Sequence, residues 1–244
     1  PFLVADVNTW AAAGALAAEK LDVAGISYKK YIFNEKELIP DEKTLGSLMM
    51  AFSRDCDVIV AVGSGTLNDL CKFSSFQLGL DYMVFATAPS MDGFVSIGAA
   101  LITNYVKTTY QAHVPLAVIG DTDILAAAPM EMITAGLGDI LGKYTCLLDW
   151  KMAHIITGEY YCSHIADMVK EAVFSIIQFD VPASSVLDLF AGSGQMGIEA
   201  LSRGASHCVF VDSNPEAVAI VKDNVDSCGF NKESRVLCMD SLEY

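Results

Sequence analysis

Apolar runs of strand length alternate with segments of helical spacing along this chain of 244 residues. PFLVADV reads as a strand and TWAAAGALAAEKL as an Ala-rich helix. ISYKKYIF follows as a second strand, and PDEKTLGSLMMAFSR as a helix opened by Pro40 and Asp41. CDVIVAVGSG runs from a buried strand into a glycine turn, TLNDLCKFSSFQLG is a helix stopped at Gly79, and DYMVFATAPS is the next strand and loop. This βαβαβ rhythm predicts a parallel sheet with ligand-binding loops at the carboxyl ends of its strands. From Pro129 to about Gln178 the pattern turns helical. A second strand–turn–helix series starts at Val186 and continues with HCVFVD as a strand, NPEAVAIVKDNVDSCG as a helix and SRVLCMD as a strand. No internal repeat or low-complexity linker separates the two series. The change falls inside YYCSHIADMVKEAVFSIIQFD, which reads as one continuous helical stretch.

Composition narrows the class. Hydrophobic residues make up 53% of the chain and charged residues 18%, enough apolar material for a buried core and against disorder. The apolar region YMVFATAPSMDGFVSIGAALITNYV is broken by Pro89, Asp92 and two glycines, a poor spanning segment, so no membrane partner is expected. No basic stretch followed by an apolar one opens the chain, and a cytoplasmic location is expected. The start inside a strand-like run, without an initiator Met, reads as the loss of an N-terminal piece. Seven cysteines without a C-x-x-C pair read as reduced core residues, and four scattered histidines show no metal-binding spacing. A net charge of −15 argues against a nucleic-acid footprint over the whole chain.

The first glycine turn, Gly63-Ser64-Gly65-Thr66, follows the apolar run Val58–Val62 and opens a helix. Two readings stand: a tight turn needing glycine for steric reasons, or a cradle for an anionic pyrophosphate at a helix N-terminus. Downstream, TAPSMDGFVSIGAALI places Thr87, Ser90, Asp92 and Ser96 in the loop after the next strand, and AGLGDILGKYTCLLDW sets Asp139 in an apolar, Gly-rich helical context. A buried carboxylate there needs a partner or a metal, which makes Asp139 a ligand candidate; a helix-capping role after Gly138 is the alternative. Together ADVNT, VGSGTLNDL, TAPSMDGFVSIGA and AAGLGDILGKYTCLLDW resemble the sn-glycerol-1-phosphate dehydrogenases of the glycerol-dehydrogenase and iron-alcohol-dehydrogenase superfamily, over about residues 1–165. The resemblance implies a Rossmann-like NAD(P) domain, with Asp6 near the adenosine side and Gly65, Thr66, Leu67, Asn68 and Asp69 under the pyrophosphate. It implies Thr87 and Ser90 along the cofactor wall, Asp92 at the substrate, Ser96 on the nicotinamide side, and Asp139 on a divalent metal (Zn or Ni) that also meets substrate. The implied reaction is hydride transfer between NAD(P)H and dihydroxyacetone phosphate, giving glycerol-1-phosphate, with the metal as Lewis acid and Asp92 and Asp139 in the catalytic set. The family's two metal-binding histidines come from a downstream helical domain; His154 and His164 match neither of its histidine motifs and read as helix-surface residues.

The second turn, Gly192-Ser193-Gly194-Gln195-Met196-Gly197, is a full G-x-G-x-x-G between a strand and a helix. Asp212 ends the next strand, at the spacing of a carboxylate that grips ribose hydroxyls. Asp188, inside the strand before the glycines, fits S-adenosylmethionine better than a dinucleotide, and Asp240 ends the third strand facing either adenine or solvent. The stretch from Asp167 to Tyr244 resembles the bacterial 16S rRNA guanine-N2 methyltransferases, which implies an S-adenosylmethionine site with Asp188, Gly192 and Gly194 in the cofactor loop and Asp212 on the ribose. The family's D-P-P-Y motif is not found, and five Lys/Arg against twelve Asp/Glu in this stretch make rRNA an unexpected partner for it alone.

The expected fold is therefore α/β: a Rossmann-like parallel sheet with the start of a helical domain, followed by a partial methyltransferase-type sheet. The expected parts are residues 1–128, the NAD(P)-binding domain, 129–166, the start of a metal and substrate domain, and 167–244, the S-adenosylmethionine-binding fragment. Both resemblances stop before their catalytic sets are complete, so the chain reads as a chimera. Three functions stay open: an incomplete glycerol-1-phosphate dehydrogenase, a methyltransferase-like protein, and a non-catalytic nucleotide-binding chimera, with homo-oligomer formation also open.

Overall fold

A computed structural model of the chain describes residues 1–35 and 37–241, without the side chains of Tyr144 and Ile176. The last three positions of the C-terminal segment, 242–244, lie outside the described residues. The chain divides into two compact units, Pro1–Lys143 and Tyr144–Tyr244.

The first unit opens with strand β1 (Phe2–Asp6), a short helix α1 (Val7–Thr9), a π-helical turn Trp10–Gly14 and helix α2 (Ala15–Val23). Strand β2 (Lys29–Phe33), helix α3 (Glu42–Ala51), strand β3 (Val58–Val62), helix α4 (Gly65–Leu78) and strand β4 (Asp81–Ala86) follow. The Asp41 carboxylate caps α3 by accepting from the Thr44 amide at 2.8 Å, and Gly79 ends α4 in the left-handed conformation. A hairpin of β5 (Gly98–Thr103) and β6 (Val106–Gln111), then strand β7 (Ala117–Gly120) and helix α5 (Thr122–Ala126), complete the unit before helix α6 (Met130–Thr157).

The main sheet has the order β2-β1-β3-β4-β7, parallel at every pairing. Both faces of β1 are buried: Phe2 and Val4 join the core of Phe33, Leu48, Ile59, Leu70 and Tyr82, while Leu3 and Ala5 pack with Ala13, Ala18 and Val62. A strand buried on two faces reads as a continuous apolar run, which is why FLVA carries no alternation. From β1 the chain moves outward to β2 and then returns to β3 on the other side of β1. That reversal splays the loops after β1 and β3 apart and leaves a crevice at their carboxyl ends.

The second unit takes up α6 at Tyr144 and continues with helix α7 (Ser163–Ile176), strand β8 (Ser185–Asp188), helix α8 (Gln195–Ser202), strand β9 (His207–Asp212), helix α9 (Pro215–Cys228) and strand β10 (Ser234–Cys238). Its parallel sheet has the order β10-β9-β8, with Phe174, Leu201, Cys208, Phe210, Val221 and Val225 in the core.

Three expectations are corrected. The helical region from Pro129 to about Gln178 is not continuous: α6 stops at Thr157, Gly158 turns at φ +75°, and YYCSHIADMVKEAVFSIIQFD is helical only over α7, Ser163–Ile176. The segment after Ser96, read as loop, is a hairpin whose tip holds Asn104 and Tyr105 at positive φ. Cys56, Cys71 and Cys208 are core residues as expected, but Cys146, Cys228 and Cys238 are exposed and Cys162 is half-buried. None of the described helices is long and apolar enough to cross a membrane.

Candidate functional site

In the first unit the crevice is built from backbone. Asp6 ends β1 and caps the helix after it, accepting from the Asn8 and Thr9 amides at 2.8 and 2.9 Å, while the Thr9 hydroxyl accepts the Asp6 amide at 3.0 Å. Beside it, β3 ends at Val62; Gly63 donates to the Phe85 carbonyl at 2.9 Å, and Gly65 turns the chain into α4 at φ +36°. A helix start of this kind presents backbone N–H groups to an anion. The Ser90 hydroxyl donates to the Ser64 hydroxyl at 3.0 Å and ties the loop after β4 to the turn, with Thr87 buried at its base.

Asp6, Gly65, Thr66, Thr87 and Ser90 thus stand at the carboxyl ends of neighbouring strands β1, β3 and β4. Leu67 and Asn68 point inward instead, wholly buried, and the Asn68 side-chain oxygen has no hydrogen-bond partner. Asp69 faces the hairpin: its carboxylate accepts from the Ala100 amide at 3.1 Å and from the Asn68 side chain at 3.2 Å, and burial raises its pKa. Lys72, one turn further along α4, is fully buried; burial lowers its pKa, and its ammonium donates to Gly93 O, Ser96 Oγ and Gly98 O.

Asp92 and Asp139 do meet. The Asp92 amide donates to Asp139 Oδ2 at 2.9 Å, and Lys143 Nζ stands 3.0 Å from Asp92 Oδ2. A Cβ on Gly136 would overlap the Pro89 carbonyl, so glycine at that position lets α6 lie against the loop and deliver Asp139. Burial and the neighbouring Asp139 raise the Asp92 pKa, while the Asp92 amide lowers that of Asp139. The expected buried carboxylate without a basic neighbour is corrected on both counts: Asp139 is exposed, and Lys143 stands beside the pair, one turn further along α6. It is not a helix cap either, because α6 starts nine residues earlier, at Met130.

The donor set does not fit a divalent metal. Two carboxylates with an ammonium on one of them lack the three or four ligands such a site takes, and no group of three His, Cys, Asp or Glu residues is placed to hold one among the described residues. His154 and His164 are exposed in the second unit, His154 with its Nδ1 at 2.6 Å from the Glu159 carbonyl.

The second unit assembles its turn more completely. Gly192 and Gly194 take φ of +52° and +78°, and a Cβ on Gly197 would overlap Phe210 and Cys208, so α8 packs directly on β9. Asp212 Oδ2 accepts the Gly192 amide and Oδ1 the Asn214 amide, each at 2.8 Å, which fixes the carboxylate at the end of β9. Asp188 accepts the Gly197 amide at 3.2 Å; burial, with a contribution from the charge of Asp212, raises its pKa. A cavity of about 210 Å³ opens beside them, lined by Leu189, Phe190, Asp212, Ser213, Asp240 and Ser241.

Sequence reasoning missed Lys72, Gly136, Lys143 and Phe190. The spacing of Asp69 and Lys72 on one helix face was a signal for the first; the others depend on contacts between distant elements. Phe190 is 78% exposed at the mouth of the cavity, although its flanks read as a buried strand.

A switch point in a parallel sheet, with a glycine turn at its crevice, is the architecture of the doubly wound α/β class; a second such turn stands in the second unit. The family model described as iron-containing alcohol dehydrogenase matches residues 2–129, and the chain belongs to that family. The model of a different family, conserved hypothetical protein 95, matches residues 165–244, and the two matches do not overlap. The glycerol-1-phosphate dehydrogenase [NAD(P)+] of Bacillus velezensis is 43% identical over 180 residues, covering 72% of this chain and 46% of the relative. That of Halalkalibacterium halodurans is 36% identical over 225 residues, covering 89% and 55%. The chain thus spans about half the length of these relatives. Among solved structures, glycerol dehydrogenase from Schizosaccharomyces pombe superposes with a TM-score of 0.53 at 24% identity over 59% of this chain and 36% of that one, which shows the shared fold.

Proposed function

We propose that the first unit binds NAD(P) in the crevice between β1 and β3 and is the cofactor half of a glycerol-1-phosphate dehydrogenase. The carrying observation is the Gly63–Thr66 turn at the switch point, with Asp6 at the end of the neighbouring strand capping the helix that follows it. Backbone N–H groups at the start of α4 meet the pyrophosphate, with Leu67, Asn68 and Asp69 supporting the turn from below. Thr87 and Ser90 form the wall, Ser96 meets the nicotinamide side, and Asp92 with Asp139 faces dihydroxyacetone phosphate or glycerol-1-phosphate. Hydride transfer is the chemistry the cofactor supplies when bound. The donor set lacks the metal ligands described above, so incomplete catalysis is part of the proposal.

For the second unit we propose an S-adenosylmethionine site, supported by the doubly anchored Asp212, the half-buried Asp188 and the cavity at the ends of β8, β9 and β10. Asp212 has lone pairs left for ribose hydroxyls after accepting two amides.

Calorimetric titration of NADH and S-adenosylmethionine tests both sites. Each ligand is expected to bind, with no turnover of dihydroxyacetone phosphate when Zn²⁺ is added. Gly65→Val abolishes NADH binding alone and Gly194→Val abolishes S-adenosylmethionine binding alone. Loss of both ligands from either change contradicts two independent sites, and robust turnover contradicts the incomplete centre.

A further inference from the structure

A lysine shortly after a glycine turn is a common partner for phosphate. Lys72 sits seven residues into α4 from Gly65, about 10 Å along the helix axis at 1.5 Å per residue. Its side chain is fully buried, and its three N–H donors meet three acceptors: the Gly93 carbonyl at 3.2 Å, the Ser96 hydroxyl at 3.1 Å and the Gly98 carbonyl at 3.0 Å. The countercharge is local as well, since Asp69 lies 3.9 Å away and holds the next amide of the same segment, Ala100. An ammonium so used has no donor left for a phosphate.

What these bonds hold is the turn after Asp92. Asp92 immediately precedes the 3-10 turn Gly93–Val95, Ser96 ends it, and Gly98 starts the hairpin. Ser96 also leans on the Gly98 carbonyl at 3.1 Å, so the backbone bends back on itself around the ammonium. We propose that Lys72 is a positioning residue that pegs the Asp92–Gly98 turn onto the helix opened by the glycine turn, and is not a ligand of the cofactor phosphates. It sets where Ser96 and Asp92 stand relative to the pyrophosphate cradle, and so couples the nicotinamide end of the site to the phosphate end. This rests on the reading above that Ser96 lies on the nicotinamide side.

The test compares the full chain with Lys72→Met, which keeps the apolar stem and removes the donors. ADP-ribose shares the pyrophosphate with NADH but lacks the nicotinamide. The variant is expected to bind ADP-ribose within about twofold of the unmodified chain and NADH at least tenfold more weakly. Equal weakening of both ligands, or of neither, overturns the proposal. Hydrogen exchange without ligand gives a second readout: amides of residues 93–103 are expected to exchange at least tenfold faster in the variant, with Gly65–Leu78 unchanged. An unchanged turn, or uniform acceleration across the first unit, overturns the peg. If the unmodified chain binds neither ligand, the dinucleotide reading fails, while the exchange result still judges the peg. If Lys72→Met does not fold, the Lys72 ammonium ¹⁵N signal of the unmodified chain decides: unmoved by ADP-ribose it supports the peg, and shifted it overturns it.

Discussion

A methyl group on Gly197 has nowhere to go, because the Phe210 ring and the Cys208 sulfur already fill the place it would occupy. Gly197→Ala is therefore expected to destabilise the second unit by about 1–3 kcal/mol, the usual cost of overpacking. A thermal scan checks this, since each kcal/mol shifts the midpoint of a unit of this size by roughly 4–8 °C. Asp188 gives a pH dependence with a definite sign. Burial raises its pKa in the folded chain, so the folded state holds its proton to higher pH than the unfolded state does. The stability it contributes is fully present below the usual carboxylate range of about 4 and is lost as pH rises through the raised value. Asp188→Asn removes that loss: denaturant midpoints of the second unit are expected to fall more steeply with rising pH in the unmodified chain than in the variant. Equal slopes would contradict the half-buried, titrating carboxylate.

Elements with one strong local signal were legible. The apolar runs before the two glycine turns are β3 and β8, PFLVADV and HCVFVD carry β1 and β9, and Gly79 and Asp41 mark helix boundaries where expected. The hairpin β5–β6 was not, because Pro89, Asp92 and the glycines around it read as punctuation of a loop. Its turn is unusual too: Tyr105, fully exposed at φ +64°, stands where glycine or asparagine would announce a two-residue turn. For the candidate sites, the glycine turns and Asp212 were readable because backbone geometry dictates their residue types. The surroundings of Asp139 were not, since Lys143 reaches Asp92 only through the packing of α6 on the loop after β4. Sequence proximity could not reveal that the ammonium of Lys72 faces three acceptors more than 20 positions away.

At the scale of the molecule, two family matches lie side by side in one chain, and each unit has its own core. The division between units falls at Lys143, inside α6, rather than in a loop. Separate cores predict separate unfolding. Differential scanning calorimetry is expected to show two transitions, with NADH raising one and Gly197→Ala lowering the other. A single transition moved by both would show that the units unfold as one.

The two tryptophans of the chain fall one to each unit, Trp10 in the π-helical turn just past Asp6 and Trp150 on α6. Trp10 lies under the Lys30 ammonium, 4.5 Å from its ring centre, while the Trp150 indole donates to the Tyr160 carbonyl. Indole emits where reduced nicotinamide absorbs. The turn that ends β1 therefore places a built-in lamp beside the crevice proposed for NAD(P), and Trp150→Phe would leave that lamp as the sole tryptophan emitter in the chain.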